Sequence, residues 1–485
     1  MMLDDAARRL PRIESQVAWT AAGVAVLVMV GYGAGADLRM SVALVGAVAL
    51  VALAAVSYQH PRAAIAACFV MVLLAGTKFR MREASDSLDG SMDAQILFEL
   101  ALFAAVGVAV LAGWIAAGDR RPAPHLKMRP TYVEVLLGGY AGIALLSTLW
   151  SAAPMLTLVR AGQLLVVSAM AIASVRMLTP AAALWTGCAS VAVYSIGCSV
   201  IGPTFPWSSE FADASDRIRF AWFSVHPIAV GTLTGIAALG LLSTAFWTSP
   251  HRTGRLLGIP LYWHATPLVI ILVMTNSRGP LLAFVAGVCT LAFLRLRSPA
   301  RIPLMLVAAA SMLVMVAIGP NLQVWIFSAS TQNSTLNDFF FQGQSAEGLL
   351  GLNGRLDLWT DLAPAMAAHP ILGYGYQASR ATLLDVASWA GYAHNALMQT
   401  ILDLGIAGTA ALGLLVAVAS SAAIRPRLAP WLRGTSAALM VFLVLNSVGT
   451  ESFAGAPGFE TLLLFVCALS VESGRRAASR AATPL

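Results

Sequence analysis

Run after run of about twenty apolar residues, each almost free of charge, narrows what this chain can become more than anything else in it. Backbone placed in hydrocarbon must satisfy its own N–H and C=O groups, which leaves helices and closed barrels. The runs are far longer than strands and lack period-two alternation, so helices are predicted and a β-barrel is excluded. Candidate spans begin near Val17, Met40, Ala63, Ile96, Val133, Val159, Ala181, Pro227, Ile259, Pro280, Pro303, His394, Thr435 and Glu460. The first run, from Val17 to Gly33, is followed by many more and reads as a span rather than a cleaved signal. Composition agrees: the 485 residues are 58% hydrophobic and 11% charged, with a mean hydropathy of +0.77. The predicted fold class is an all-α polytopic integral membrane protein with about 12 to 14 transmembrane helices, twelve if two of the runs are re-entrant or interfacial.

The longest interruption of the apolar pattern divides the chain. Residues 1–149 are read as N-terminal helices, 150–320 as central helices, 321–393 as one long extramembrane loop and 394–485 as C-terminal helices. Within the loop, Leu356, Trp359, Leu362 and Met366 fall near helical spacing and predict an amphipathic helix lying along the membrane surface. A turn at Gly373 and Gly375 follows, then a short polar helix opening at His394, with Asn395, Gln399 and Asp403 as a surface stripe.

Basic residues orient the spans. With an inward N-terminus, 20 of the 30 Lys and Arg fall in inner segments, which places both termini in the cytoplasm. The net charge of +7 is then mostly a topology signal and no sign of nucleic acid. Among the outward cations, Lys78, Arg80 and Arg82 share a loop with Glu83, Asp86, Asp89 and Asp93 and read as a charge-balanced connector. Arg160, Arg219, Arg278 and Arg355 each lie in or beside an apolar element at the outer rim, with no carboxylate as immediate neighbour in sequence. Arginine near hydrocarbon is costly unless it is paired or reaches water, so several at one level point to an anion. The guanidinium fork suits phosphate oxygens, and a diphosphate is the expected ligand. Arg278 sits between two apolar runs in TNSRGP, where a new helix starts and its free N–H groups add to an anion site.

His226, His369 and His394 are read as outward; His369 precedes Pro370 at a helix stop. No histidine pair has i, i+4 spacing and no HExxH occurs, so no metal and no cofactor is expected. The five cysteines lie in apolar runs as small packing residues.

Six segments taken together resemble the O-antigen ligase/polymerase superfamily. They are WSAAPMLTLVR (150–160), RFAWFSVHP (219–227), NSRGP (276–280), GRLDLW (354–359), HPILGYG (369–375) and HNALMQTILDLGIAG (394–408). The resemblance implies a GT-C-like, metal-independent, inverting glycosyltransferase of the bacterial inner membrane, working at the periplasmic face. The implied donor is a glycan on undecaprenyl diphosphate, and the acceptor is a glycan or lipid A-core hydroxyl. Polysaccharide-export or chain-length proteins are implied partners. Carried over by motif, Arg219 and Arg278 hold the diphosphate, Arg355 joins them or fixes the loop, and His394 takes the acceptor proton; Arg160, His226 and Asn395 complete the expected site. Ile228 stands after Pro227 where members often carry Asn, and Trp222 replaces a Gly, which makes His226 a second candidate base. Polymerase and ligase share these motifs; the GRLDLW segment and the Arg355–His394 spacing lean toward polymerase. A transporter or flippase of an anionic lipid-linked glycan is the rival class, and it would place its charges near mid-membrane.

Overall fold

The computed structural model describes residues 51–77, 94–119, 130–202, 210–212, 218–223, 225–247, 255–256, 258–296, 354–387 and 390–482. The spans expected near Val17, Met40 and Pro303, the 78–93 connector, Arg39 and the 321–353 segment lie outside the described residues.

The described chain is built of helices. They are α1 (Pro61–Ala75), α2 (Ala94–Asp119), α3 (Tyr132–Leu146), α4 (Pro154–Met177), α5 (Pro180–Ile201), α6 (Pro227–Trp247), α7 (Ala265–Met274), α8 (Arg278–Arg295), α9 (Arg355–Ala368), α10 (Arg380–Val386), α11 (Ala396–Ser420), α12 (Pro430–Asn446) and α13 (Phe459–Ala482). Proline opens α1, α4, α5 and α12, where its missing N–H costs nothing. The chain is a multi-pass membrane protein: seven described helices are long and apolar enough to cross a bilayer, and α1 and α7 are shorter apolar helices. The run expected to span from Ile259 begins instead with a short turn and a 3-10 segment, and its α-helix has only 10 residues. Two small antiparallel hairpins interrupt the helices, β1 (Glu210–Ala212) with β2 (Ile218–Phe220), and β3 (Arg255–Leu256) with β4 (Ile259–Pro260).

Helix α13 runs through the middle, with every residue from Leu462 to Leu469 buried. The outward faces are apolar too. Leu149, Val193, Val200, Leu282 and Ile406 are 62–84% exposed, as lipid-facing residues should be. Small residues let the helices cross closely: a methyl on Gly240 would stand 2.5 Å from Cys188 Cβ, and one on Gly287 2.7 Å from Leu239 Cδ1.

The two ends of the bundle differ in chemistry. At one end Arg176 forks onto Glu134 (2.7 and 2.6 Å), which also completes a capping box with Thr131 at the start of α3. Arg475 reaches Glu472 there (2.9 and 2.8 Å) and lies over the Tyr132 ring. Arg160, His226, Arg278 and His394 stand at the opposite helix ends, where α4, α6, α8 and α11 begin.

Candidate active site

The start of α11 is fixed before any ligand is considered. Asn395 is its N-cap: Oδ1 accepts from the N–H groups of Leu397 (2.9 Å) and Met398 (3.2 Å). The Asn395 Nδ2 donates to the Val448 carbonyl (3.2 Å), and the Ala396 N–H donates to the Ser447 carbonyl (3.0 Å). These two bonds strap the turn after α12 to the start of α11. His394 precedes the cap with a φ of +50°, a left-handed conformation uncommon outside glycine and associated with functional positions.

The stripe expected on the surface of this helix faces inward instead. Gln399 and Asp403 are 2% and 1% exposed. The Asp403 carboxylate accepts from Ser379 Oγ (2.6 Å), the Ser379 N–H (3.4 Å), Gln377 Nε2 (3.1 Å) and Gln399 Nε2 (2.9 Å). Gln399 Oε1 accepts from the Ala393 N–H (2.9 Å), which joins the network to the residue before His394. A polar stripe at helical spacing can face either water or a polar loop, and here the loop 370–379 supplies the partners.

That loop also explains the HPILGYG segment. Helix α11 is broken at Gly405 (φ +60°), which frees backbone groups inside a span. The loop satisfies them. Tyr374 N–H donates to Leu402 O (2.8 Å), Gly375 N–H to Asp403 O (2.9 Å), and Ile406 N–H to Pro370 O (2.9 Å). Gly373 and Gly375 take positive φ (63° and 102°) to lie against the helix, and a methyl on Gly375 would meet Ser151 Oγ at 2.5 Å. Ser151 belongs to the WSAAP segment, so two of the sequence motifs meet here. Helix α9 packs Leu358 and Leu362 into a small apolar cluster with Leu383, Ala393 and Leu402, while Leu356 stays exposed. Trp359 Nε1 donates to the Ala393 carbonyl (2.9 Å).

Beside this scaffold lies a cavity of about 490 Å³, in the size range of ligand pockets. Its polar wall carries Arg160, His226 and His394, together with Glu99, Arg380, Tyr392, Glu451 and Glu460; Val72, Leu73, Phe103, Leu233 and Phe459 line the apolar part. Thus three of the sequence-derived candidates share one cavity. Arg160 has a carboxylate partner from a distant helix: Nη1 donates to Glu99 Oε1 (2.5 Å) and to Gln163 Oε1 (2.8 Å). The His226 ring accepts through Nδ1 from the Ile228 N–H (3.2 Å). His394 Nδ1 stands 3.7 Å from Glu451 Oε2, and both side chains are partly exposed. A smaller cavity of about 300 Å³ beside Tyr262 and Trp263 has no charged lining.

The remaining candidates stand outside the cavity lining. Arg219, on β2, reaches the α7–α8 junction: its Nε donates to Thr275 O (3.0 Å), and its Nη2 to Ser277 Oγ (2.7 Å) and Asn276 O (3.4 Å). Arg278 is the first residue of α8, directly after the Ser277 that Arg219 holds. Behind the wall, Asn446 Nδ2 donates to Thr232 Oγ1 (3.0 Å), and Asn446 Oδ1 would lie 3.7 Å from a methyl on Gly279. The start of α8 is therefore one side chain away from Thr232, which lines the cavity. Arg355 comes close to Gly449 in the turn leading to Glu451; burial pulls its pKa down, and the Glu451 carboxylate opposes that. Asn395 is committed to capping α11. Trp222 is fully buried and packs edge-on to Tyr194 and Phe220.

Sequence reasoning missed Glu99, Arg380, Tyr392, Glu451 and Glu460. Glu451 had a signal: no acidic residue lies between Asp403 and it, so it is a lone carboxylate between two apolar runs. Glu99 sits inside a run and could be paired with Arg160 only by the fold. Among the described residues, no three His, Cys, Asp or Glu converge as a metal set.

Residues 265–413, from α7 through most of α11, match the family model described as O-antigen ligase. No curated protein matches the chain significantly. The matched region contains NSRGP, GRLDLW, HPILGYG and the whole His394 helix start, so this part of the chain is similar to that family.

Proposed function

We propose that the chain is a polysaccharide polymerase of the bacterial inner membrane. It moves a glycan from undecaprenyl diphosphate to a sugar hydroxyl at the periplasmic face. The observation that carries this reading is the meeting of Arg160, His226 and His394 in one cavity, at the end of the bundle away from the Arg176 and Arg475 ion pairs. Basic residues favour the cytoplasmic side, so the cavity end is read as periplasmic. A site at the helix ends also suits a transferase better than a transporter, whose site belongs near the bilayer midplane.

In this mechanism the acceptor hydroxyl attacks the anomeric carbon and passes its proton to His394. The new C–O bond forms as the bond to the diphosphate breaks, and the electron pair leaves with the diphosphate. Arg278, at the free N–H groups that open α8, stabilises the charge that develops there, with Arg160 and Arg380 on the near wall. Arg219 holds the Thr275–Ser277 turn from which Arg278 projects. Arg355 stands behind the His394 side. A lipid diphosphate is already a good leaving group, so guanidinium groups can take the part a divalent ion plays elsewhere. The apolar lining beside Phe103 and Leu233 offers a path for the lipid chain.

Deleting the gene and examining two fractions tests the assignment. Loss of high-mass polysaccharide with intact lipopolysaccharide supports a polymerase. Uncapped lipid A-core with polymer retained on its carrier lipid makes the chain a ligase. Normal polymer and normal lipopolysaccharide together would refute both.

A further inference from the structure

We infer that Glu451 is the positioning carboxylate of His394, and that the two form an acid–imidazole pair whose placement is built into the fold. The inference rests on the reading of His394 as the proton acceptor and deepens it.

Five features place Glu451. Its Oε2 lies 3.7 Å from His394 Nδ1, longer than a hydrogen bond. Such pairs often tighten only when substrate arrives. The turn that carries it is strapped to the His394 segment by the Asn395–Val448 and Ala396–Ser447 hydrogen bonds, so the two residues are held within reach of each other. Gly455 makes room for it: a methyl there would stand 2.6 Å from Glu451 Cγ. Arg355 approaches the same turn from α9, so the GRLDLW motif supports the carboxylate from behind. Ser452, the next residue, has a φ of +39°, a second non-glycine in the left-handed region within this small site.

The chemistry follows from which ring nitrogen faces the carboxylate. Glu451 favours the tautomer with the proton on Nδ1, which leaves the Nε2 lone pair for the acceptor hydroxyl. When that proton arrives on Nε2, the carboxylate stabilises the imidazolium. Other charged groups share the space: Glu460 and Tyr392 on the adjoining wall, Arg160, Arg380, Glu99 and His226 around the cavity, and Arg355 behind Glu451. Among the described residues, Glu451 is the one whose carboxylate faces the His394 ring at ion-pair distance.

The test uses the full chain in proteoliposomes, with the undecaprenyl diphosphate-linked glycan that accumulates in a strain deleted for the gene. Glu451→Gln should lower kcat about 100-fold with KM for the lipid donor changed by less than about 3-fold, and Glu451→Asp should recover part of the loss. In a His394→Ala background, adding Glu451→Gln should cost nothing more, because a residue that acts through the imidazole has nothing left to act on. A wild-type kcat in Glu451→Gln overturns the inference, as does a rise in KM alone or an additive loss in the double variant. Full activity of His394→Ala instead removes the base and the pair with it. No turnover of this donor by the wild-type chain refutes the proposed function itself.

Discussion

Removing the Asp403 carboxylate is the sharpest test of how the site is held. In Asp403→Ala, the Ser379 N–H and hydroxyl lose their acceptor, and the Nε2 groups of Gln377 and Gln399 keep only their bonds to Ala454 O and Ser379 Oγ. An orphaned buried donor costs about 1–3 kcal/mol, so two full losses and two partial ones predict about 4 kcal/mol, with some relief from relaxation. Asp403→Asn keeps the shape but offers one acceptor oxygen and turns an amide toward donors, and about half that cost is expected. The assay is thermal unfolding in detergent followed by size-exclusion chromatography, where Asp403→Ala should melt about 4 °C below wild type. Turnover should fall as well, since Asp403 helps fix the Gln399 amide that holds Ala393, next to His394. A melting point within about 1 °C of wild type would refute the claim that this network clamps the 370–379 loop to α11.

Three further outcomes are expected. Arg278→Ala should lower polymer yield about 100-fold while the protein remains inserted, as seen by immunoblot of washed membranes; near-normal polymer would remove Arg278 from the site. Gly375→Ala should destabilise the protein by more than about 2 kcal/mol, because its φ of 102° is strained for alanine and the new methyl meets Ser151; a wild-type melting curve would contradict the wedge geometry. Turnover in proteoliposomes should persist in excess chelator, and a loss restored by Mg²⁺ would show that the guanidinium groups do not suffice.

The spans were legible because length and hydropathy are local properties, and α2 through α6 begin close to where the apolar runs do. The HPILGYG segment was legible as a turn, since paired glycines are local too. Its purpose was not. That Tyr374 and Gly375 supply N–H partners for a helix broken at Gly405, thirty residues beyond Gly375, depends on a contact no local pattern encodes. The direction of the Gln399–Asp403 stripe failed for the same reason: period 3.6 says which residues share a face, and only the fold says what covers that face. His394, His226 and Arg160 could be picked out because a titratable or charged side chain beside apolar spans is costly and so informative. Their partners could not, because Glu99 is 61 residues from Arg160 in sequence and Glu451 lies beyond two further helices from His394.

Arginine proved the hardest residue to read, and the reason bears on mechanism. A guanidinium at the outer end of an apolar helix must be neutralised or hydrated, and an anionic ligand is one of several ways to do it. Arg160 is met by Glu99 and Gln163, and Arg219 gives three hydrogen bonds to the Thr275–Ser277 turn. Neither arrangement removes the residue from the chemistry. A cation beside a carboxylate in the cavity wall can exchange that partner for a phosphate, whereas one spent on carbonyls at a helix start acts by holding that start rigid. In the proposed reaction, Arg219 therefore works through the α8 terminus and Arg278, while Arg160 and Arg380 meet the substrate across the cavity. The load on the leaving group is then shared between a fixed helix end and two guanidinium groups able to trade partners, which suits a site that must bind a dianion, release it and reset between additions.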